Sequence, residues 1–351
     1  EAADFDYLDF GEVEHSPDHR YLAYAVDIRG SEYYEVRIKD IATGAIVSTL
    51  TGESTGDFVW ANDSETLYWI WRDDNGRSVR VYRQPRTGGA SELVYEEPDA
   101  GFFISIGLSD GENYVVINAG GHTSNEIRLI DANDPTAEPV LIAPRQENVE
   151  YYLTEAPDRF YFRTNLDGAV DFKIMSAPLD NPSRENWVDV IPSRPGVLVL
   201  DLIGFRDWQV RMERENALPR IVVREYATGA EHQIDFAEEA YSLGVSAGYE
   251  YAVDLIRFSY ESPSTPEETY DYNMRTHERV LRKRQEVPSG HDPADYVVRR
   301  IMAPASDGAQ IPVTILYHAD TPIDGSAPLM LYGYGSYGIT IPAGFRVTPL
   351  S

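Results

Sequence analysis

The stretch Ala61-Asn62-Asp63-Ser64, followed after Glu65 by Thr66-Leu67-Tyr68-Trp69-Ile70-Trp71, decides how the chain is read. Asn, Asp and Ser favour turns because their short side chains bond to nearby backbone. The run after the turn is almost wholly apolar, and it predicts a strand covered on both faces, since a strand with one wet face would alternate. A second strand, Arg80-Val81-Tyr82-Arg83, closes the unit.

Outward from this unit the same order recurs between Glu14 and Glu278. Opening turns stand at Ser16-Pro17-Asp18, Ser109-Asp110-Gly111, Ala156-Pro157-Asp158, Phe205-Arg206-Asp207 and Ala247-Gly248-Tyr249. They recur about every 45 residues, a spacing that belongs to repeat architectures. Strands are predicted after them at Tyr21 to Val26, Tyr114 to Ala119, Arg159 to Arg163, Trp208 to Glu213 and Tyr251 to Arg257. Closing runs such as Glu126 to Ile130 and Arg220 to Arg224 alternate, as strands nearer a rim should. The turn Ala-Thr-Gly appears twice, at residues 42–44 and 227–229. Roughly 40–50 residues with about four short strands per unit is what a β-propeller blade requires, and six units are counted. A stacked β-sandwich stays open as the alternative, although it gives no reason for a fixed interval.

Composition narrows the function. At 351 residues the chain exceeds one typical domain, and 42% hydrophobic content supports a substantial core. Against 30 basic residues stand 58 acidic ones, a formal charge of −28, which is the opposite of what a nucleic-acid binder shows. Such a surface favours solubility and draws cationic peptides from a distance. There is no cysteine, so no disulfide framework and no thiolate metal site. No apolar run approaches the ~18 residues of a membrane span. The first residue is Glu1 rather than methionine, so a leader is not legible; a cytoplasmic location is expected, with a periplasmic one left open.

Near Asp292 the pattern changes. Tyr296 to Ala303 and Ala309 to His318, separated by Ser306-Asp307-Gly308, predict a hairpin. A polar loop follows from Thr321 to Ala327, then an apolar strand from Pro328 to Tyr332, then Gly333-Tyr334-Gly335-Ser336-Tyr337-Gly338. The glycines spell G-x-G-x-x-G, yet the dinucleotide fingerprint needs a helix to open there, and Ile339-Thr340-Ile341-Pro342 does not provide one. From the residues alone, Tyr334 and Tyr337 are either packed strand-end aromatics or groups presented beside a tight turn.

Leu331 to Gly338 resembles a segment of the prolyl oligopeptidase family, on its oligopeptidase B (protease II) branch. Further similarities are Asn148 to Tyr152, Asp158 to Tyr161 with Arg163-Thr164-Asn165, Arg184 to Trp187 with Ile191-Pro192, and Gln285-Glu286-Val287 leading into His291 to Tyr296. Gly335-Ser336-Tyr337 stands where pure prolyl oligopeptidases usually carry Gly-Gly-Phe, which favours that branch. The resemblance implies a β-propeller over 1–288, incomplete at its N-terminal side because the family has seven blades, followed over 289–351 by the opening strands of an α/β-hydrolase domain. It implies that Tyr334 donates to an oxyanion hole and that Tyr337 lines the primary specificity pocket. It further implies a serine endopeptidase of short peptides, with cleavage after Arg or Lys and a propeller that gates access. No nucleophile elbow is read here, since Ser336 has Tyr334 two residues before it; the triad residues are expected to be absent from this chain, leaving it inactive alone. A non-catalytic interaction scaffold remains the second functional class.

No cofactor or metal is expected. The seven histidines, His15, His19, His122, His232, His277, His291 and His318, are dispersed and read as turn residues; Pro17 forbids the helix that would put His15 and His19 on one metal. Paired acids such as Asp73-Asp74 and Glu238-Glu239 read as solvated loop charges. The basic run Arg275 to Arg284 either pairs internally or, from its place before the linker, meets the following domain. Oligomeric state is not legible.

Overall fold

The computed structural model describes residues 5–336 and 339–350. The chain forms two compact units, Glu1–Pro192 and Ser193–Ser351. The first holds four sheets, each of four antiparallel strands paired in chain order. Sheet one comprises β1 Asp9–His15, β2 Tyr21–Asp27, β3 Glu35–Asp40 and β4 Ile46–Thr49; sheet two comprises β5 Ser54–Trp60, β6 Thr66–Arg72, β7 Ser78–Pro85 and β8 Glu92–Glu96. Sheet three is β9 Phe103–Leu108, β10 Tyr114–Gly120, β11 Asn125–Asp131 and β12 Val140–Leu141; sheet four is β13 Tyr151–Glu155, β14 Arg159–Thr164, β15 Lys173–Pro178 and β16 Val188–Ile191.

The reason for the wholly apolar second strands is visible in β6. Leu67 and Trp69 pack with Phe58, Trp60 and residues of sheet one, while Tyr68 and Ile70 pack with Ile104, Val115 and Ile117 of sheet three. Both faces are covered, so side chains of either parity gain from being apolar, each large one by about 1.5–3 kcal/mol on full burial. A two-layer sandwich has no third sheet to cover the second face. Among the described residues, six four-stranded antiparallel sheets make the fold a β-propeller.

The opening turns repeat in geometry as well as in sequence. The Ser16, Ala61 and Ser109 N–H groups donate to the carbonyls of Tyr21, Thr66 and Tyr114 at 2.8, 2.9 and 2.9 Å. In each, the fourth residue turns left-handed: His19 at φ 57°, Ser64 at 60° and Glu112 at 58°. L-residues seldom adopt this region, and here a closed hydrogen-bonded loop requires it. Neighbouring turns then hold one another, Asp18 N–H donating to Ser64 Oγ and Asn62 Nδ2 to the Glu112 carbonyl.

Charged pins cross the same seams. Glu155, at the end of β13, accepts from Ser109 Oγ, the Gly111 N–H and Asn113 Nδ2 of the sheet-three turn. Arg145 spans Glu97 and Glu126 at 2.5 and 2.9 Å, and Arg128 adds a second partner for Glu126 at 2.7 Å. Burial by itself would raise the Glu126 carboxyl, but hydrogen bonds from Arg145 and Arg128 outweigh it and hold the group down at about 2. Among the described residues, Glu14 on β1 has no such cation. Burial first, then Glu12, push it up to about 7, against a hydrogen bond from Trp60.

The second unit holds sheet five, with β17 Val197–Gly204, β18 Trp208–Glu215, β19 Leu218–Glu225 and β20 Glu231–Gln233, and sheet six, with β21 Ser242–Ser246, β22 Leu255–Glu261, β23 Glu268–Asn273 and β24 Arg279–Arg284. Trp208, Val210 and Met212 pack with Ile256, Phe258 and Tyr272 of sheet six. The alternate residues of β18, Gln209, Arg211 and Glu213, are polar and fully buried. Arg211 bonds Glu231 through both terminal nitrogens at 2.9 Å and Glu213 at 3.1 Å, while Glu213 also receives Arg194 and Arg220.

Two predicted strands are displaced. The strand expected at Tyr251 to Arg257 begins only at Leu255, because the preceding loop is committed elsewhere: the Tyr251 carbonyl accepts from Arg206 N–H, and Asp254 accepts from Trp208 Nε1 and Arg275. Pro328 to Tyr332 forms no strand, because among the described residues no neighbouring strand pairs with it.

Candidate functional site

The site region grows out of the end of sheet six. Basic residues of β24 pair within the sheet, Arg282 with Asp271 at 2.7 Å and Arg284 with Glu268 at 2.6 Å, so the run is largely neutralised where it stands. Arg275, before it, meets Asp254 at 3.0 Å. The linker then leaves the sheet, with Gln285 N–H still bonded to the Glu267 carbonyl. His291 Nε2–H donates to the Ser264 carbonyl at 2.6 Å, and its ring stacks on Tyr296 and meets Phe345 edge-on. A cleft of about 400 Å³ opens beside the linker, lined by Glu238, Tyr260, Glu268, Arg284 and His291 among others. Its polar groups already serve one another: Thr265 Oγ1 donates to Glu238, and Tyr270 and Arg284 both bond Glu268. Burial first, then the Glu238 charge, raise the Tyr260 hydroxyl and keep it neutral. Nothing in this cleft is poised as a nucleophile with a base.

From here the chain enters a two-stranded hairpin, β25 Tyr296–Pro304 and β26 Gln310–His318, in unbroken register from Tyr296 opposite His318 to Pro304 opposite Gln310. Its turn works because Gly308 takes φ 89° and Asp307 accepts the Ala309 N–H. The sequence-predicted hairpin is therefore present. Arg299 and the Arg300 N–H both bond Glu239, which fastens β25 to the loop before sheet six.

The chain then passes through Asp320 to Ala327 into the glycine and tyrosine stretch. Leu329, Met330 and Leu331 are each more than four-fifths exposed, and Tyr334 is 49% exposed. No hydrogen bond to the Tyr334 hydroxyl is found among the described residues. Tyr337 lies outside the described residues.

One pattern escaped the sequence reading. Gly107-Leu108-Ser109-Asp110-Gly111 does spell G-x-S-x-G, the pattern of a nucleophile elbow. An elbow joins a strand to a helix and exposes its serine, whereas this segment joins β9 to β10 and buries Ser109. The hydroxyl is spent on Glu155 and on the Tyr114 N–H. Its likeness to the Ser16 turn was the signal that identifies it as structural.

The histidines are not all turn residues. His15, His232 and His318 lie in strands; His15 and His19 bring their rings to 4.3 Å through the turn rather than through a helix, and His232 stacks on His277 at 3.8 Å. No group of three or more His, Cys, Asp or Glu that could hold a metal occurs among the described residues. No helix of the described residues is long and apolar enough to cross a membrane.

Comparison with known proteins adds to this geometry. A family model described as prolyl oligopeptidase, N-terminal β-propeller domain, matches residues 1–285. Dipeptidyl aminopeptidase BI of Pseudoxanthomonas mexicana is 38% identical over 99% of this chain and 48% of its own length. Protease 2 of Moraxella lacunata is 28% identical over 96% of this chain and 49% of its length. Among solved structures, oligopeptidase B from Leishmania major superposes with a TM-score of 0.87 at 26% identity, covering 99% of this chain and 51% of that one. Oligopeptidase B from Trypanosoma brucei, in a closed form with covalently bound antipain, also gives 0.87, at 25% identity, covering 98% and 50%. The chain spans about half the length of the curated relatives it matches.

Proposed function

Because this chain belongs to the prolyl oligopeptidase family, we propose that it forms the propeller-bearing half of a serine peptidase that hydrolyses short peptides. In this reading residues 1–288 are the propeller, and 289–351 open a hydrolase domain whose reactive serine, aspartate and histidine are supplied by sequence outside this chain. The observation that carries it is the continuous path from sheet six through the hairpin to an accessible Tyr334. A bare interaction scaffold has no use for that path. Tyr334 donates its hydroxyl to the oxyanion formed in acyl transfer, a contribution typically worth ~10²–10³ in rate. Tyr337 lines the primary specificity pocket. The excess of 58 acidic over 30 basic residues supports a preference for peptides cut after Arg or Lys, drawn in by the field of the whole surface. The propeller sheets restrict entry to short chains.

The test joins this chain to the portion of dipeptidyl aminopeptidase BI that lies beyond its match. The hybrid is expected to cleave Arg and Lys peptide esters faster than neutral ones. Tyr334→Phe should lower kcat by ~10²–10³ with KM little changed. The 351-residue chain by itself should show no turnover. An unchanged rate in the phenylalanine variant returns Tyr334 to a packing role, and turnover by the chain alone overturns the division of the triad.

A further inference from the structure

Glu261 is the last residue of β22, and no salt bridge engages it among the described residues. Its carboxylate instead reaches a stretch more than 80 residues later in the chain. Oε2 accepts the Phe345 N–H at 3.0 Å. The adjoining Gly344 lies so close that a Cβ there would stand 2.4 Å from Oε1 and 3.0 Å from Cδ. A side chain at 344 would push this carboxylate out of its seat. Phe345 meets His291 edge-on at 5.0 Å, and His291 is itself tied to the Ser264 carbonyl. The next residue, Arg346, stands 5.8 Å over the ring of Tyr332, two residues before Tyr334.

These contacts form one path from a propeller strand to the tyrosine segment. We propose that Glu261 is a positioning residue, whose carboxylate seats Gly344 and Phe345 and, through Arg346 on Tyr332, fixes where the segment bearing Tyr334 is presented. The proposal rests on the reading of Tyr334 as the oxyanion donor. It gives the propeller a direct part in building the reaction site, since a displacement of about 1 Å at a reacting group can cost ~10²-fold in rate. A glutamine at 261 keeps an oxygen acceptor for the Phe345 N–H; an alanine does not.

Two measurements test this. In the 351-residue chain, Glu261→Ala is expected to speed amide hydrogen exchange at Phe345 by at least about tenfold, as loss of a protecting hydrogen bond should, with the unfolding midpoint of the sheets unmoved. In the hybrid described above, Glu261→Ala and Gly344→Ala should each lower kcat about tenfold with KM nearly constant, and Glu261→Gln should recover most of that loss. Unchanged exchange in Glu261→Ala, or a change confined to KM, overturns the proposal. If Tyr334→Phe lowers kcat by ~10²–10³ while Glu261→Ala leaves it unchanged, the positioning role fails alone. If Tyr334→Phe is fully active, both readings fall together.

Discussion

Strand β6 and the segment Pro328 to Tyr332 are written in the same alphabet and meet opposite fates. In β6, Leu67, Tyr68 and Ile70 are fully buried; in the later segment Leu329, Met330 and Leu331 are exposed by 83, 83 and 82%. The strand has β5 and β7 at its edges and sheets one and three on its faces. The segment has none of these among the described residues. A continuous apolar run therefore states a requirement for neighbours on every side, and the local chain cannot meet that requirement alone. Charges divide in the same way: within the sheets even full burial is tolerated where a counter-charge is fixed beside it.

The largest expected effect follows from breaking such a pairing. Glu213 is fully buried and bonded by Arg194, Arg211 and Arg220. Glu213→Ala strands the buried Arg211 with only Glu231 and should cost about 3–5 kcal/mol, read as a fall in the denaturant midpoint. Replacing Arg211 and Glu213 together by Met and Leu should lose far less, because no uncompensated charge remains.

Two carboxylates of the first unit sharpen the comparison by pH. Glu126 is held at about 2 by its arginines, below its unfolded value of 4.5. Its contribution is present above pH 4.5 and is lost as pH falls toward 2, so acid unfolding of the wild type should show a loss of about 2 kcal/mol that Glu126→Gln lacks. Glu14 runs the other way. Its folded value of about 7 lies above 4.5, so its protonated form supports the fold below pH 4.5, and that support fades as pH rises through 7. Glu14→Gln should raise stability at pH 8 by about 1 kcal/mol and change little at pH 4, measured by urea unfolding at both values.

Much of this was legible in the sequence because the turn and strand order repeats: Ser16, Ala61 and Ser109 open turns whose hydrogen bonds prove identical in pattern. The buried polar face of β18 was not, since Arg211 and Glu213 look like rim residues until their partners arrive from β19, β20 and Arg194. The motif around Ser109 names a nucleophile, and only its place in the repeated turn tells it apart; its hydroxyl is bonded to Glu155 and the Tyr114 N–H. Tyr334 was found through resemblance alone. The Glu261 seat left no local trace, because it joins residues 83 and 84 positions apart and shows only as a glycine at 344.

The smallest effect on folding is expected where the comparison began. Leu329→Ser with Leu331→Ser removes apolar surface that the fold does not bury, so the unfolding midpoint should shift by less than about 0.5 kcal/mol. The same change should reduce concentration-dependent self-association in sedimentation velocity, because three adjacent bare apolar side chains invite contact. In the hybrid with dipeptidyl aminopeptidase BI the order reverses. If the added sequence covers this segment as β5, β7 and their sheets cover β6, the paired serines become core substitutions and should destabilise by about 2–5 kcal/mol. A double variant that is silent in both proteins would mean that the segment is surface in either setting, and that its apolar residues are not those of a strand awaiting its sheet.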